Sequence, residues 1–441
     1  MRKLIFFVII KILATAILYH NLSRGEVLTV SPSLSCPGKT NLCLSLDQLA
    51  THAHLFDSNT TLIFLSGIHT LSTELFLFNT SNILLLAESS VESKSIIICQ
   101  QNAGFNFIGA YYIGVNGLKL ISCKCNVVLV QLLVIENMTF HGKSDSGTAL
   151  EIIATNVYIS NSTFSFNRIG RCLTIDIVLR KTYRTLVGGA IFATQSSNIT
   201  IVGSKFESNG AEVGGALFIS MGSNLKILNC TFIDNRVAVA DSSIKDSHCS
   251  EPGTAKLYRI SELITVLIRS NSSDFDGRFS MGGAIALFQS TLLIDGCVFG
   301  NHTSSSGGAG VLAIQSDSVV NICNSKIYKS HVGRFGGVST ISDHCYVTVD
   351  NSEIYDSTAQ QGGVVDLSSG SYLTIRNSIL SNSCVTGSGG VVVADQNSYV
   401  NISSSHFINN TAKNGGILDA VNSVISVAHS SQILQDNGVE Q

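Results

Sequence analysis

The fold is decided by a pattern that occurs in SNITIVGSKFESN (residues 197–209) and again in SNLKILNCTFIDN (residues 223–235). In each segment a polar turn is followed by alternating apolar and polar residues, a small turn, a Phe and an Asn. A Gly-Gly pair at Gly214 stands between the two segments. Because successive side chains of a strand point to opposite faces, this period of two predicts strands rather than helices.

The pattern recurs along most of the chain. One unit cannot bury its own apolar face, so we expect the units to stack about 4.8 Å apart and to pair each strand with its counterparts above and below. The sequence therefore predicts an all-β parallel β-helix, a solenoid with coils of about 26 residues. The Leu-x-x-Leu pattern of leucine-rich repeats is absent. Gly-Gly pairs mark the coils and begin at Gly188, Gly214, Gly282, Gly307, Gly336, Gly362, Gly389 and Gly415.

Two kinds of turn residue have physical reasons to recur. Gly-Gly supplies backbone angles that a Cβ would resist, or it allows close packing at a corner. A column of Asn residues suits the left-handed turn conformation, and stacked Asn side chains can also hydrogen-bond along the ladder. This column contains Asn167, Asn209, Asn235 and Asn410.

The repeats resemble those of a known superfamily. GGAIFA at Gly188, GGALFI at Gly214 and GGAIAL at Gly282, each paired with an F-x-x-N stretch, are similar to the repeats of chlamydial polymorphic outer-membrane proteins. They also resemble the right-handed β-helix, pectin-lyase-like superfamily, including extracellular β-helix proteins of simple animals such as sponges. The resemblance covers roughly residues 60–437 and implies a single-stranded right-handed β-helix. It indicates little about function, because that superfamily holds enzymes, adhesins and structural fibres.

The N-terminal region predicts export and a cap. Residues 1–25 have the basic start, apolar run and small-residue site of a signal peptide, and no second apolar run of that length follows. Residues 26–60 precede the repeats, and Ser45 with Gln48 fits a capping box that opens a short helix through about His54. The β-helix is predicted over residues 61–441. Its last coil ends without a cap, which predicts either truncation of a longer protein or fraying.

Cysteine content and glycosylation motifs agree with a secreted or cell-surface location. The chain has 12 cysteines, and the close spacing of Cys36 and Cys43 makes them the favoured disulfide pair. Cys230 and Cys297 share a column, as a disulfide or as stacked small residues. Ten N-x-S/T acceptors predict a glycoprotein: Asn59, Asn79, Asn137, Asn161, Asn198, Asn229, Asn271, Asn301, Asn401 and Asn409.

Two insertions interrupt the regular spacing, near residues 168–187 and 236–281. Both follow an F-x-x-N stretch, so both are expected to leave the same corner. Insertions on one face of a solenoid often form its binding surface. The alternatives are tolerated insertions and, for the second, a degenerate extra coil from Leu263. The first insertion supplies candidate ligand-binding residues: Arg171, Arg180, Lys181 and Arg184.

A column of tyrosines is the second candidate ligand-binding feature. By alternation, Tyr346, Tyr372 and Tyr399 face outward, on the same side as Thr348 and Thr374. Such a column could stack on sugar rings, or it could be a ladder of aromatic side chains that supports the sheet.

Enzyme and metal hypotheses have weaker support. Asp366 and Asp419 share a position after Gly-Gly, but they are expected to lie two coils, roughly 10 Å, apart. The polygalacturonase motifs are absent, as is zinc-ligand spacing of cysteines. We therefore expect no cofactor and no metal. With a net charge of −3, nucleic-acid binding is not expected either.

The expected function is that of a non-enzymatic adhesion, recognition or matrix protein outside the cell, with a protein or glycan ligand and no transmembrane segment after the signal region. The alternative is a pectin-lyase-like polysaccharide lyase or hydrolase.

Overall fold

The protein is a parallel β-solenoid. A computed structural model describes residues 27–32, 43–52, 59–78, 82–88, 95–100, 103–142, 148–168, 174–176, 181–183, 188–211, 213–237, 282–304 and 308–433. The predicted signal peptide lies outside these residues. Four parallel sheets, named A to D here, run along the solenoid.

Sheet A contains fifteen strands among the described residues, in this stacking order: Cys43–Leu44, Val27–Val30, Thr60–Phe64, Asn82–Ala87, Tyr112–Asn116, Leu132–Glu136, Asn156–Ser160, Asn198–Val202, Asn224–Leu228, Thr291–Asp295, Val319–Cys323, Tyr346–Asp350, Tyr372–Arg376, Tyr399–Ser403 and Val424–Ala428. Sheet B contains thirteen in the same part of the chain: Gly67–Leu71, Ser95–Cys99, Lys119–Ile121, Thr139–His141, Thr163–Ser165, Lys205–Glu207, Thr231–Ile233, Val298–Gly300, Lys326–Tyr328, Glu353–Tyr355, Ile379–Ser381, His406–Ile408 and Ser431–Ile433.

Sheet C contains twelve described strands: Leu75–Phe78, Gly104–Ile108, Lys124–Val128, Leu150–Ile153, Ile191–Thr194, Leu217–Ile219, Ile285–Phe288, Leu312–Gln315, Ser339–Ile341, Val365–Leu367, Val392–Ala394 and Leu418–Ala420. Sheet D contains six two-residue strands in the described coils: Gly210–Ala211, Arg236–Val237, Thr303–Ser304, His331–Val332, Thr358–Ala359 and Cys384–Val385. The first insertion contributes a small antiparallel pair, Thr174–Asp176 with Lys181–Tyr183.

A short helix, Leu46–His52, lies at the N-terminal end and confirms the predicted capping helix. The backbone N–H of Gln48 donates to Ser45 Oγ at 3.2 Å, and the N–H of Ser45 donates to Gln48 Oε1 at 3.1 Å. This reciprocal pair satisfies two N–H groups that a helix start otherwise leaves without a partner. Sheet A also extends into the predicted cap region, because Val27–Val30 pairs in parallel with Thr60–Phe64.

The interior is filled by the columns that the repeat predicts. A column of buried phenylalanines has ring centroids 4.5–4.9 Å apart and nearly parallel planes. Burying one such side chain contributes roughly 2–3 kcal/mol relative to leaving it exposed. Because equivalent residues of successive coils lie directly above one another, their buried side chains form one continuous core. The column contains Phe140, Phe164, Phe206, Phe232 and Phe299.

The two glycines of a Gly-Gly corner have different roles. The first one adopts a left-handed backbone conformation, as at Gly362 with φ of 61°. The second packs against the next coil, since a Cβ on Gly363 would lie 2.2 Å from the carbonyl oxygen of Gly390. Both explanations given by the sequence therefore hold, and close packing applies to the first glycine as well, since a Cβ on Gly362 would lie 2.3 Å from the carbonyl oxygen of Val365.

One predicted corner is out of register. The N–H of Gly283 donates to the carbonyl of Ala309, and that of Gly310 donates to Gly336, so Ala309–Gly310 occupies the corner rather than the pair beginning at Gly307. The corner residues then follow each other at 27-residue intervals from Gly282 to Gly336. The second position remains Gly because a Cβ on Gly310 would lie 2.3 Å from the carbonyl oxygen of Gly337.

The predicted left-handed conformation of the Asn column is wrong. The residue before each Asn has the positive φ instead, as at Ser208 and Asp234. Asn209 and Asn235 are fully buried, and the Asn209 side-chain amide donates to Asn235 Oδ1 at 2.9 Å. It also donates to the carbonyl of Phe164 at 3.0 Å. The predicted ladder is therefore present, because a buried turn position needs a side chain that can satisfy neighbouring backbone groups.

The second insertion does not contain an extra coil within the stack. Asn224 pairs directly with Thr291 in sheet A, and Phe232 pairs directly with Phe299 in sheet B. The hypothesis of a degenerate coil from Leu263 is therefore wrong, since such a coil would separate these strands.

The cysteines are partly paired. Cys99 and Cys123 form a disulfide, and Cys43 is disulfide-bonded, while its predicted partner Cys36 lies outside the described residues. Cys230 and Cys297 are free thiols on neighbouring coils, where the N–H of Cys230 donates to Cys297 Sγ at 3.4 Å. Their shared column is therefore stacking rather than a disulfide.

Candidate functional site

The three tyrosines lie on the outer face of sheet A, as alternation predicts. Tyr346 pairs with Tyr372 and Tyr372 with Tyr399 in the parallel register. Adjacent rings are stacked with centroids 4.7 Å apart, at interplanar angles of 6° and 5°. Because each ring covers its neighbour, the faces inside the column are not open to a sugar.

One ring face remains open at the lower end of this tyrosine ladder. Tyr346 is 52% exposed, more than the other two. Its partner on the preceding coil is Val319, a smaller side chain without a ring. The face of Tyr346 on that side is therefore a flat apolar surface that another ring could contact.

A shallow groove lies on the same outer face of sheet A, on the coils that precede Tyr346. It has a volume of about 460 Å³ and follows the outer face of sheet A over four coils. Thr291 and Val319 are shorter than the tyrosines that take the same position on the next coils, which leaves this part of the face open. The outward-facing residues along it are Asn198, Asn224, Lys226, Thr291, Val319 and Asn321.

Hydrogen bonds fix the amides of the groove. The Asn224 side-chain amide donates to Asn198 Oδ1 at 2.9 Å, and the Asn198 amide donates to Asn156 Oδ1 at 2.9 Å. The Thr291 hydroxyl hydrogen-bonds to Asn224 Oδ1. These hydrogen bonds set the orientation of the Asn198 and Asn224 side-chain amides in the absence of a ligand. The sequence pattern did not predict these residues as a site.

A pair of carboxyl groups lies on a different face of the solenoid, on the outer side of sheet C. Asp366 is on the strand Val365–Leu367, and Asp395 follows the strand on the next coil. Burial and the charge of Asp395 raise the pKa of Asp366 to about 7, and burial raises the pKa of Asp395. Asp395 Oδ1 is buried and has no hydrogen-bond partner among the described residues. The structure thus brings Asp366 near Asp395, whereas Asp419 lies two coils away.

The insertion candidates are placed only in part. Lys181 begins the strand Lys181–Tyr183, and Arg171, Arg180 and Arg184 lie outside the described residues. The last described residues before the insertions are Arg168, which bridges to the sheet D strand at Gly210, and Val237, which lies in sheet D. The predicted common corner is confirmed, because Arg168 and Arg236 both pair with Gly210.

The predicted glycosylation acceptors are largely accessible. Asn59 is half-buried, and Asn79 and Asn271 lie outside the described residues. Seven acceptors are exposed: Asn137, Asn161, Asn198, Asn229, Asn301, Asn401 and Asn409.

The part of the chain that the structure describes has no group of three His, Cys, Asp or Glu side chains placed to hold a metal ion. Among the same residues, no helix combines the length and apolar character needed to cross a bilayer.

Comparison with protein families agrees with the architecture. The sequence model of a family described as "Right handed beta helix region" matches residues 95–255. This part of the chain is similar to right-handed β-helix proteins. The predicted parallel β-helix is thus confirmed by the stacked parallel sheets, and the family match lies within them. No curated protein sequence matches this β-helix protein.

Several solved structures are similar in fold. A PL6 alginate lyase in complex with a trisaccharide is 9% identical over 94% of this chain and 88% of that one, with a TM-score of 0.40. Alginate lyase AlyF-OU02 with G6 is 12% identical, covering 90% and 85%, with a TM-score of 0.40. Pectate lyase Pel9A is 12% identical, covering 90% and 79%, with a TM-score of 0.32. At such identities the likeness concerns the fold of this β-helix protein and not its activity.

Proposed function

We propose that this β-helix protein is a non-enzymatic extracellular glycoprotein that recognises carbohydrate through the groove on sheet A. The observation that carries the proposal is the open face of Tyr346 on the coil next to that groove, beside Val319. The protein would serve in adhesion, in recognition or as a matrix scaffold.

The chemistry of the groove suits a sugar. A pyranose ring has an apolar face that stacks on an aromatic ring, and hydroxyl groups at its edge that exchange hydrogen bonds with amides. Asn224 and Asn321 line the groove, and the ring of Tyr346 stands on the next coil, directly after Val319. The amide ladder and the stacked rings hold these groups in place, so little ordering entropy is lost on binding.

An extracellular location has independent support. The exposed N-x-S/T acceptors and the disulfide between Cys99 and Cys123 suit the oxidising secretory route. The signal-peptide pattern of residues 1–25 agrees with it.

A glycan array probed with the full-length secreted protein tests the proposal. We expect binding to a limited set of neutral glycans, and loss of it in Tyr346→Leu. Tyr399→Leu is the matched control, because Tyr399 has the same column and the same stacking at the far end from the groove. Equal loss in both variants, or no glycan bound by the folded wild type, would contradict the proposal.

A second candidate function is hydrolysis of a polysaccharide at Asp366 and Asp395. The observation that favours it is the pair of neighbouring carboxyl groups with raised pKa values, which is how general acids are tuned. Depolymerisation assays on polyuronides and neutral polysaccharides test it, with Asp366→Asn as the inactive variant and Asp419→Asn as the control. Product formation that survives Asp366→Asn would exclude this site.

A further inference from the structure

The corner from which both insertions leave carries two arginines with a gap between them. Arg168 pairs with Gly210 and Gly210 pairs with Arg236, so the three residues form one column over three successive coils. A Cβ built on Gly210 would lie 3.7 Å from Arg168 Cγ and 3.8 Å from Arg236 Cγ. The stems of the two arginines therefore flank the place where a Gly210 side chain would stand, which is called the slot here.

Backbone geometry does not require glycine at position 210. Its φ lies outside the left-handed region, and a Cβ there would make only ordinary van der Waals contacts, the nearest at 3.6 Å. Corner glycines such as Gly363 differ, because a Cβ there would meet a carbonyl oxygen at 2.2 Å. What glycine provides at position 210 is the empty space between the arginines.

The charges in this slot are not compensated within the described part of the chain. Neither arginine forms an ion pair with a described residue, and Arg168 Nε is buried without a hydrogen-bond partner. Glu207 on the intervening coil is paired with Lys205 at 2.7 Å, and Asp234 forms no ion pair with either arginine. Burial, and after it the nearby positive charge of Arg236, lower the pKa of Arg168.

We infer that Arg168 and Arg236 form a clamp for a tetrahedral oxyanion, a sulfate or phosphate group, seated over Gly210. Strands two coils apart are separated by roughly 9.6 Å. That distance accommodates one such ion with a charge-assisted hydrogen bond of about 2.8 Å on each side. A carboxylate has two oxygens, which one guanidinium occupies in a fork, whereas a tetrahedral oxyanion has four and can serve both arginines.

The group could be a free ion or a sulfate ester on a sugar. Either source neutralises the repulsion between the arginines and gives Arg168 Nε a partner. This site lies at the sheet D corner and not on the sheet A face, so it does not depend on the proposed groove. Tyr346→Leu is expected to leave it unchanged.

Isothermal titration of the full-length secreted protein tests the clamp with three probes: sodium sulfate, heparin and chemically desulfated heparin. The clamp predicts that heparin binds and that its desulfated form, which keeps its carboxylates, binds far more weakly. Binding of sodium sulfate without heparin would identify the free ion as the occupant. The inference is overturned if neither sodium sulfate nor heparin binds, or if heparin and its desulfated form bind equally well.

Variants separate a clamp from general charge attraction. Arg168→Lys keeps the charge but loses the fork, and Gly210→Leu keeps both arginines but fills the slot. Each should weaken binding about tenfold or more, the usual effect of losing a charged hydrogen bond. Lys119→Gln, which removes one positive charge from sheet B, is the control and should change affinity little. Thermal unfolding verifies that each variant is folded, and unchanged affinity in folded Arg168→Lys and Gly210→Leu would also overturn the inference.

Discussion

The ring of Tyr346 lies parallel to that of Tyr372, with centroids 4.7 Å apart, while its other face is directed toward Val319 and the groove. The stacked partner fixes the ring plane perpendicular to the stacking direction of the coils. A sugar entering the groove would thus meet a surface that is already oriented. Tyr372, the inner ring, is stacked on both sides and offers no open face of its own.

Stability should depend strongly on the phenylalanine column. Phe206 is fully buried between two other rings, so Phe206→Ala removes a large side chain and leaves a cavity. We expect a loss of about 3–5 kcal/mol in the free energy of unfolding. Phe78→Ala, at a position that is 56% exposed, should change it by less than about 1 kcal/mol. Urea unfolding followed by circular dichroism measures both, and equal losses would contradict the packing described.

The Gly-Gly corner should tolerate no side chain at its second position. A Cβ on Gly363 would overlap the carbonyl oxygen of Gly390, and backbone on both coils would have to move. Gly363→Ala should therefore destabilise the protein by about 2 kcal/mol or more. Gly210→Ala introduces the same methyl group without such a contact and is the matched control. Comparing the thermal midpoints of the two variants tests this prediction, which fails if both are equally stable.

The carboxyl pair should make stability depend on pH. The folded-state pKa of Asp366 is about 7, above its usual value of 3.8, so the folded protein holds this proton while the unfolded chain releases it. Stability should therefore fall as pH rises from about 4 to about 7 and then level off. At pH 8, Asp366→Asn should recover roughly 2–4 kcal/mol, and at pH 3.5 it should recover little.

Thermal unfolding of wild type, Asp366→Asn and Asp419→Asn across this pH range measures the effect. Asp419 belongs to the same outward column but lies two coils from Asp366. The prediction is wrong if Asp366→Asn shows the same pH dependence as the wild type.

Glycan occupancy should follow exposure. Asn229 and Asn409 are exposed residues with positive φ in turns, so an attached glycan extends into solvent without disturbing a strand. Glycopeptide mapping of the protein secreted from eukaryotic cells should find both modified. Unmodified asparagine at both positions would argue against passage through the secretory route. Asn198 lines the groove, so Asn198→Gln should strengthen ligand binding if that acceptor is occupied.

The fold could be predicted from the repeat because the alternation of apolar and polar residues within each strand decides which side chains are buried. Alternation within each strand placed the Ile and Phe columns inside and Tyr372 outside. The register of the corners was harder to predict. The Gly-Gly pair at Gly307 matches the corner motif in sequence, but the hydrogen bonds between coils show that Ala309–Gly310 forms the corner. Asn235 was misassigned because asparagine suits both a left-handed turn and a buried ladder.

The candidate site was harder to predict from the sequence than the fold. A groove depends on side-chain size across coils, so the shortness of Thr291 and Val319 matters only once they are known to precede Tyr346. The partner of Asp366 was missed for a similar reason. Equivalent positions in the repeat suggested Asp419, but a diagonal neighbour one coil away, Asp395, is closer than an equivalent residue two coils away.

The affinity ratio between Tyr346→Leu and Tyr399→Leu tests carbohydrate recognition at the groove most directly. Both variants remove one ring from the same stacked column, so their structural effects are matched. With a glycan selected on the array, titration calorimetry should show affinity at least about tenfold weaker for Tyr346→Leu and close to wild type for Tyr399→Leu. Equal affinities for the two variants would contradict recognition at the open face of Tyr346.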